Sequence, residues 1–155
     1  MATLRQQLQR AQSLNKSVAV DDVFSVIREI EQIILDKNRE QLFENSQDRY
    51  GNVLGFYSYA TEQITHGSKK AGEPFDAYDT GSLQEKMYLT FYPDGVGVFS
   101  EDNKAEGLTS ENDGGEFSTW LTKDLFGLSE KNLREVIEKS ILPLFIKAQR
   151  NKLNL

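Results

Sequence analysis

All eleven glycines of this 155-residue chain lie between Gly51 and Gly127. Nothing else constrains its fold as strongly. Glycine permits the positive-φ turns that tightly connected elements need, and it weakens a helix from within. The glycine-free segments on either side therefore read as helix, and the window between them as turns and strands. There is no internal repeat and no low-complexity tract.

In the N-terminal third, Val20, Phe24, Ile27, Ile30 and Ile34 recur at spacings of three and four, which makes one apolar helical stripe. Asp21 fits as its N-cap, with Asp22 adding negative charge at the positive end of the helix dipole. After Leu35 the stripe thins, and "DKNREQLFEN" continues as exposed helix with Asp36 and Arg39 paired at i,i+3. Ahead of it, Leu4, Leu8 and Ala11 predict a short helix or arm over residues 1–19. Its stripe is too thin to fold alone.

In the middle, "VLGFYSYATEQIT" mixes aromatic and β-branched residues and reads as strand. The "KMYLTFYPDGVGVFS" segment carries a stronger signal. Met87, Leu89 and Phe91 alternate with Tyr88, Thr90 and Tyr92, Pro93-Asp94-Gly95 supplies turn chemistry, and Val96 and Val98 begin a return strand. This predicts a hairpin. "EDNKAEGLTSENDGGEF" follows, with six acids and one lysine over 101–116. A loop of that length is functional or disordered, and its spacing does not match a calcium-binding loop. In the tail, Ser129 fits as an N-cap and Leu128 as a staple onto Leu133, with Val136, Ile137, Ile141 and Leu144 continuing the core face. Pro143 is expected to kink or end that helix, leaving residues 146–155 as a basic tail.

Composition excludes several functions. Without cysteine there are no disulfides, thiol catalysis or zinc–thiolate sites. No apolar run approaches the roughly 20 residues of a membrane span. The N-terminus lacks the continuous apolar stretch of a secretory signal, which predicts cytoplasmic synthesis. Net charge is −6, with +3 on residues 1–20, +3 from Asn132 onward and −12 between. Basic ends of this kind read as solvated helix faces before they read as nucleic-acid contacts.

"YDTGSL" raises the possibility of an aspartic protease, in which Asp79-Thr80-Gly81 would present the catalytic carboxylate. The residues before it, "KKAGEPFDAY", are polar and do not form the usual buried strand. The motif occurs once, so catalysis would require a homodimer whose two aspartates share a proton. The alternative is a turn, in which Asp79 or Thr80 accepts a backbone N–H, Gly81 adopts an unusual φ, and "LQEKMYL" runs from a helical turn into strand. His66 is the single histidine, in a polar turn. Lys69-Lys70 matches no phosphate-binding pattern, and Trp120 reads as a core or interface anchor. No residue pattern marks an active site or a cofactor.

Taken together, these segments resemble a known family. Asp79-Thr80-Gly81 followed by Leu83 and a strand resembles the "DTG-x-L" segment of bacteriophage tail-completion, or virion-morphogenesis, proteins of the head–tail joining class. Phe126-Gly127-Leu128-Ser129, at the head of "LFGLSEKNLREVIEKSILPLF", is similar to their "FLGLS" and the helix after it. The order of helix, Asp-Thr-Gly, hairpin, long loop, Gly-Leu-Ser and helix also agrees over roughly residues 20–145. The chain departs from the family in lacking a proline–arginine element before Phe126, and in its segment from Arg49 to Phe75, which has no equivalent there.

The resemblance implies an α+β domain over 20–145, with a small antiparallel sheet and a long N-terminal and a C-terminal helix packed on it. It implies a non-enzymatic head–tail connector subunit in the virion neck, made in the host bacterial cytoplasm. Its partners would be copies of itself in a ring, the portal, and other neck or tail proteins, with DNA passing through and no sequence-specific nucleic-acid contact, membrane or cofactor. The homodimeric protease and a cytoplasmic binding module with basic ends are the alternatives.

Overall fold

The glycine-free ends are helical, and the glycine-rich window holds the turns and the sheet. A computed structural model describes residues 4–13, 16–78, 80–103, 105 and 125–153. In chain order the elements are α1 (Leu4–Ser13), α2 (Lys16–Glu29), α3 (Glu31–Arg39) continuing into a π turn (Glu40–Glu44), α4 (Tyr59–Ile64), α5 (Ser82–Glu85), β1 (Met87–Tyr92) and β2 (Gly95–Ser100). After these, α6 (Glu130–Val136) runs through a second π turn (Ile137–Ile141) into α7 (Leu142–Leu153). The fold class is α+β, and the strands form a two-stranded antiparallel sheet. No helix among the described residues is long and apolar enough to cross a membrane.

The chain divides into two compact units, Met1–Ile33 with Leu133–Leu155, and Ile34–Asn132. In the first, α2 packs on α7 and on the second π turn, and α1 also meets α7. Val26, Ile30 and Val136 are its buried apolar side chains among the described residues. Asp22 accepts hydrogen bonds from Lys152 Nζ at 2.5 and 2.6 Å and from Gln149 Nε2 at 2.7 Å, tying α2 to the end of α7. These bonds, that from Lys152 first, hold the Asp22 carboxyl below its ordinary range.

Several sequence expectations need correction here. Asp21 is not an N-cap, because α2 begins at Lys16 and Asp21 lies inside it. Val20, placed on the apolar stripe, is exposed, whereas Val26 is buried. Leu133 and Ile137 do not face a core: they are 45% and 41% exposed, and only Val136 of that run is buried. Pro143 does not end the helix, which continues to Leu153. The proline ring would press on the carbonyl four residues earlier, at Lys139. That carbonyl belongs to the π turn, where Leu142 N–H donates to Ile137 O, and the widened ladder gives the ring room.

The second unit packs around Leu42, Leu54, Phe75 and Leu125, with Phe43, Tyr57, Ala77 and Phe126 against them. The predicted hairpin forms, pairing Met87 with Ser100 through Tyr92 with Gly95 around a Pro93-Asp94 turn. Met87 and Leu89 are buried and Tyr88 is exposed, as the alternation requires. The strand predicted over "VLGFYSYATEQIT" does not form. Single bridges join Gln47 to Val53 and Phe56 to Pro74, and the rest becomes α4. Ser58 decides that outcome locally: its Oγ accepts the Thr61 amide at 3.1 Å, a capping bond that starts a helix where β propensity alone favours extension. Most of the acidic segment 101–116, and Trp120, lie outside the described residues.

Candidate functional site: a buried amide cluster that holds both motifs

The stretch "DKNREQLFEN" was expected to be exposed helix. It is instead the centre of the second unit, where Asn38, Gln41 and Leu42 are wholly buried. A buried amide must find partners for its N–H and C=O groups. Gln41 satisfies all of its capacity. Its Nε2 donates to Asp48 O at 2.8 Å and to Gly127 O at 2.9 Å, and its Oε1 accepts from Ser129 N and Asn132 Nδ2, each at 2.8 Å. Asn38 Nδ2 donates to the same Gly127 carbonyl at 2.7 Å.

The loop that these amides grip is the Gly-Leu-Ser segment. Gly127 sits at φ +124°, in the region where a side chain is strained, and its carbonyl turns inward to both amides. Ser129 is buried and its Oγ accepts the Asn132 amide at 3.4 Å, so it caps α6 as predicted. Phe126 packs against the core cluster, and Leu128 is half-buried. On the other side of the amides, Asp48 holds its own loop. Its Oδ1 accepts the amides of Tyr50 and Asn52 at 2.9 and 2.8 Å.

The Asp-Thr-Gly segment meets the same helix. Asp79 lies outside the described residues, so its part in a cap or a catalytic pair does too. Gly81 stands at φ +86° immediately before α5, the unusual backbone conformation that the turn reading required. Thr80 Oγ1 accepts the Ser82 amide at 3.5 Å, a long bond. Leu83 is buried, and α5 leads directly into β1. Arg39 Nε donates to Gln84 O at 3.0 Å while its Nη1 pairs with Asp36 Oδ1 at 2.7 Å, the predicted i,i+3 partner. Residues 38–41 of one helix thus hold both segments that carried the family resemblance, α5 through Arg39 and the Gly127–Ser129 loop through Asn38 and Gln41.

A second polar cluster closes the loop around α4. Lys69 Nζ donates to both Asp76 oxygens, at 2.8 and 2.7 Å, and Tyr57 Oη donates to Asp76 Oδ1 at 2.5 Å. The Tyr57 and Tyr78 rings stand 5.3 and 5.6 Å from the ammonium. Burial works against both charges, yet Asp76 and Tyr57 together push the Lys69 ammonium up. Bonds from Lys69, Tyr57 and the Tyr78 amide likewise hold the Asp76 carboxyl down. Burial, then the bond to Asp76, pushes the Tyr57 hydroxyl up. Both members of the ion pair stay charged at neutral pH, which makes them a clamp and not a proton-transfer couple. His66, in the turn just before, is exposed at φ +52°.

Sequence reading missed both clusters. The only trace of the first was a pair of amides three residues apart, Asn38 and Gln41, in a helix that otherwise reads as polar surface. Comparison with known protein families, with curated proteins and with solved structures returns no match.

Proposed function

We propose that this chain is a structural subunit of a bacteriophage virion neck, a head–tail connector or tail-completion protein that assembles into a ring between portal and tail. The observation that carries the reading is the joint engagement of the two motif segments by residues 38–41. Gly81, Leu83, Gly127 and Ser129 serve as a positive-φ turn, a buried anchor, a gripped carbonyl and a helix cap. Each of these roles is architectural. Motif residues with such roles suit a mechanical part, whose shape must persist under load, better than a catalytic site with reacting groups exposed in a cleft. A neck subunit also needs surface for neighbours. Tyr50, Phe56, Tyr59 and Ile64, each more than 60% exposed, supply apolar area within one short stretch.

The genetic neighbourhood and a reconstitution test this. The gene is expected beside portal, capsid or tail genes, and the purified chain is expected to bind the portal ring encoded there, giving a symmetric collar by electron microscopy. A neighbourhood without virion genes, or a portal that never captures the chain, would overturn the proposal.

A further inference from the structure

Strand β2 borders the described sheet on one side, and the register fixes what its outer edge presents. In an antiparallel ladder, pairs that exchange backbone hydrogen bonds alternate with pairs that do not. Glu101 N–H donates to Lys86 O at 3.1 Å, which sets the phase. Every second pair from there, Tyr88–Phe99, Thr90–Gly97 and Tyr92–Gly95, is then a bonded pair. Val96 and Val98, opposite Phe91 and Leu89, therefore aim their N–H and C=O groups away from β1. Among the described residues, nothing hydrogen-bonds to those groups. Folded proteins blunt an open edge with a charge, a proline or a covering element. The segment GVGVFS over Gly95–Ser100 carries neither charge nor proline.

The strand is complementary to itself. With two β2 strands antiparallel about Gly97, each Val96 falls opposite the other copy's Val98, and their outward N–H and C=O groups meet. These valines share the face of buried Met87 and Leu89, so the four of them continue the apolar side of each hairpin. On the other face, Phe99 falls opposite the second copy's Gly95, a large side chain beside a bare backbone. The two Gly97 residues meet at the two-fold, where strands approach to about 4.5 Å at Cα. Gly97 is already covered by its own strand: an added Cβ would meet the Phe99 ring at 2.5 Å. A slip of one residue would set the valines of the two copies on opposite faces. No charge enters the pairing, and Asp94 and Glu101 of the two copies approach only at its ends. We propose that β2 is a self-pairing edge, to which the β2 of a second copy adds antiparallel about Gly97, joining two hairpins into one sheet. The contact is isologous, so it uses both open edges and stops at a dimer. It builds no ring, and so goes beyond the neck reading to the chain before assembly. So short a contact falls below the roughly 1,200 Å² of a stable interface, which makes the dimer a weak one.

The chain has no cysteine, so introduced thiols report the register. Val96→Cys and Val98→Cys chains, mixed and oxidised, should link as a heterodimer, because bonded pairs stand about 5.5 Å apart at Cα, within disulfide reach. Either variant alone should link at least about tenfold more slowly, its two thiols being two residues out of register and beyond the roughly 7 Å limit. Amide exchange on the unaltered chain gives an independent reading. Val96 and Val98 should exchange quickly when dilute and severalfold more slowly when concentrated, while Gly97 and Phe99 stay protected throughout. In sedimentation velocity the wild type should associate more at high salt, which screens Asp94 from Glu101. Val98→Pro removes an outward donor only, and Val96→Lys charges the edge, so circular dichroism should show both folded and each should associate at least about tenfold more weakly. Exchange at Val96 and Val98 that does not change with concentration overturns the self-pairing edge. So does a mixture that links no faster than its single variants. Either result leaves the neck reading standing, since that is tested by the portal.

Discussion

The shared Gly127 carbonyl makes the amide cluster measurable. Gln41→Met keeps the side-chain length and removes four hydrogen bonds. Asp48 O keeps the Gly51 amide, and Gly127 O keeps Asn38, but Ser129 N loses its partner inside the protein. One orphaned buried N–H costs about 1–3 kcal/mol and the three other bonds about 0.5–1.5 kcal/mol each, partly offset by burying an apolar group, so the net loss is about 2–5 kcal/mol. Asn38→Leu leaves Gly127 O still bonded to Gln41 and otherwise removes only the long bond that Asn38 Oδ1 accepts from Gly127 N at 3.5 Å, so it should cost about 1–2 kcal/mol. In the double variant the carbonyl has neither donor, so the loss should exceed the sum of the two by about 1–3 kcal/mol. Native-state hydrogen exchange at the β1–β2 amides, with urea unfolding followed by circular dichroism, reads this unit directly. Additivity to within about 0.5 kcal/mol would refute the shared-acceptor geometry, as would a Gln41→Met loss below about 1 kcal/mol.

The clamp around α4 should make stability depend on pH at both extremes. The depressed Asp76 pKa contributes stability above the ordinary carboxylate range that is lost as pH falls through its folded value. The raised Lys69 pKa contributes below the ordinary lysine range and is lost as pH rises through its folded value. Asp76→Asn should cost about 1–2 kcal/mol at neutral pH, since the pair is partly exposed, and its difference from wild type in urea midpoint should vanish in acid. Leu42→Ala should destabilise by about 2–5 kcal/mol whereas Ile137→Ala stays within about 1 kcal/mol, and equal losses in thermal melts would contradict the burial assigned to each. Gly81→Ala should cost about 1–2 kcal/mol in the same melts through its φ of +86° alone, because an added Cβ meets nothing nearer than Tyr78 Oη at 3.6 Å.

What the sequence determined by itself was local. The hairpin at 87–100, the Ser129 cap, the positive φ at Gly81 and the helical ends all follow from patterns within a few residues, where turn chemistry and alternation act without help from distant chain. Two exposures depended on more than pattern. Residues 36–45 are polar in sequence apart from Leu42 and Phe43, so they read as surface. Asn38 and Gln41 became interior only because Gly127 and Ser129, almost ninety residues on, supply the partners that offset the cost of burying an amide. The C-terminal stripe failed in the opposite sense. Its spacing looked like a core face, yet a helix has two sides, and only packing chose Val136 over Leu133 and Ile137. The π turn before Pro143 then shifted the register of everything after it. Periodicity locates an apolar face, but which face is buried, and which polar groups are taken inside with it, is decided by partners that only the tertiary structure brings together.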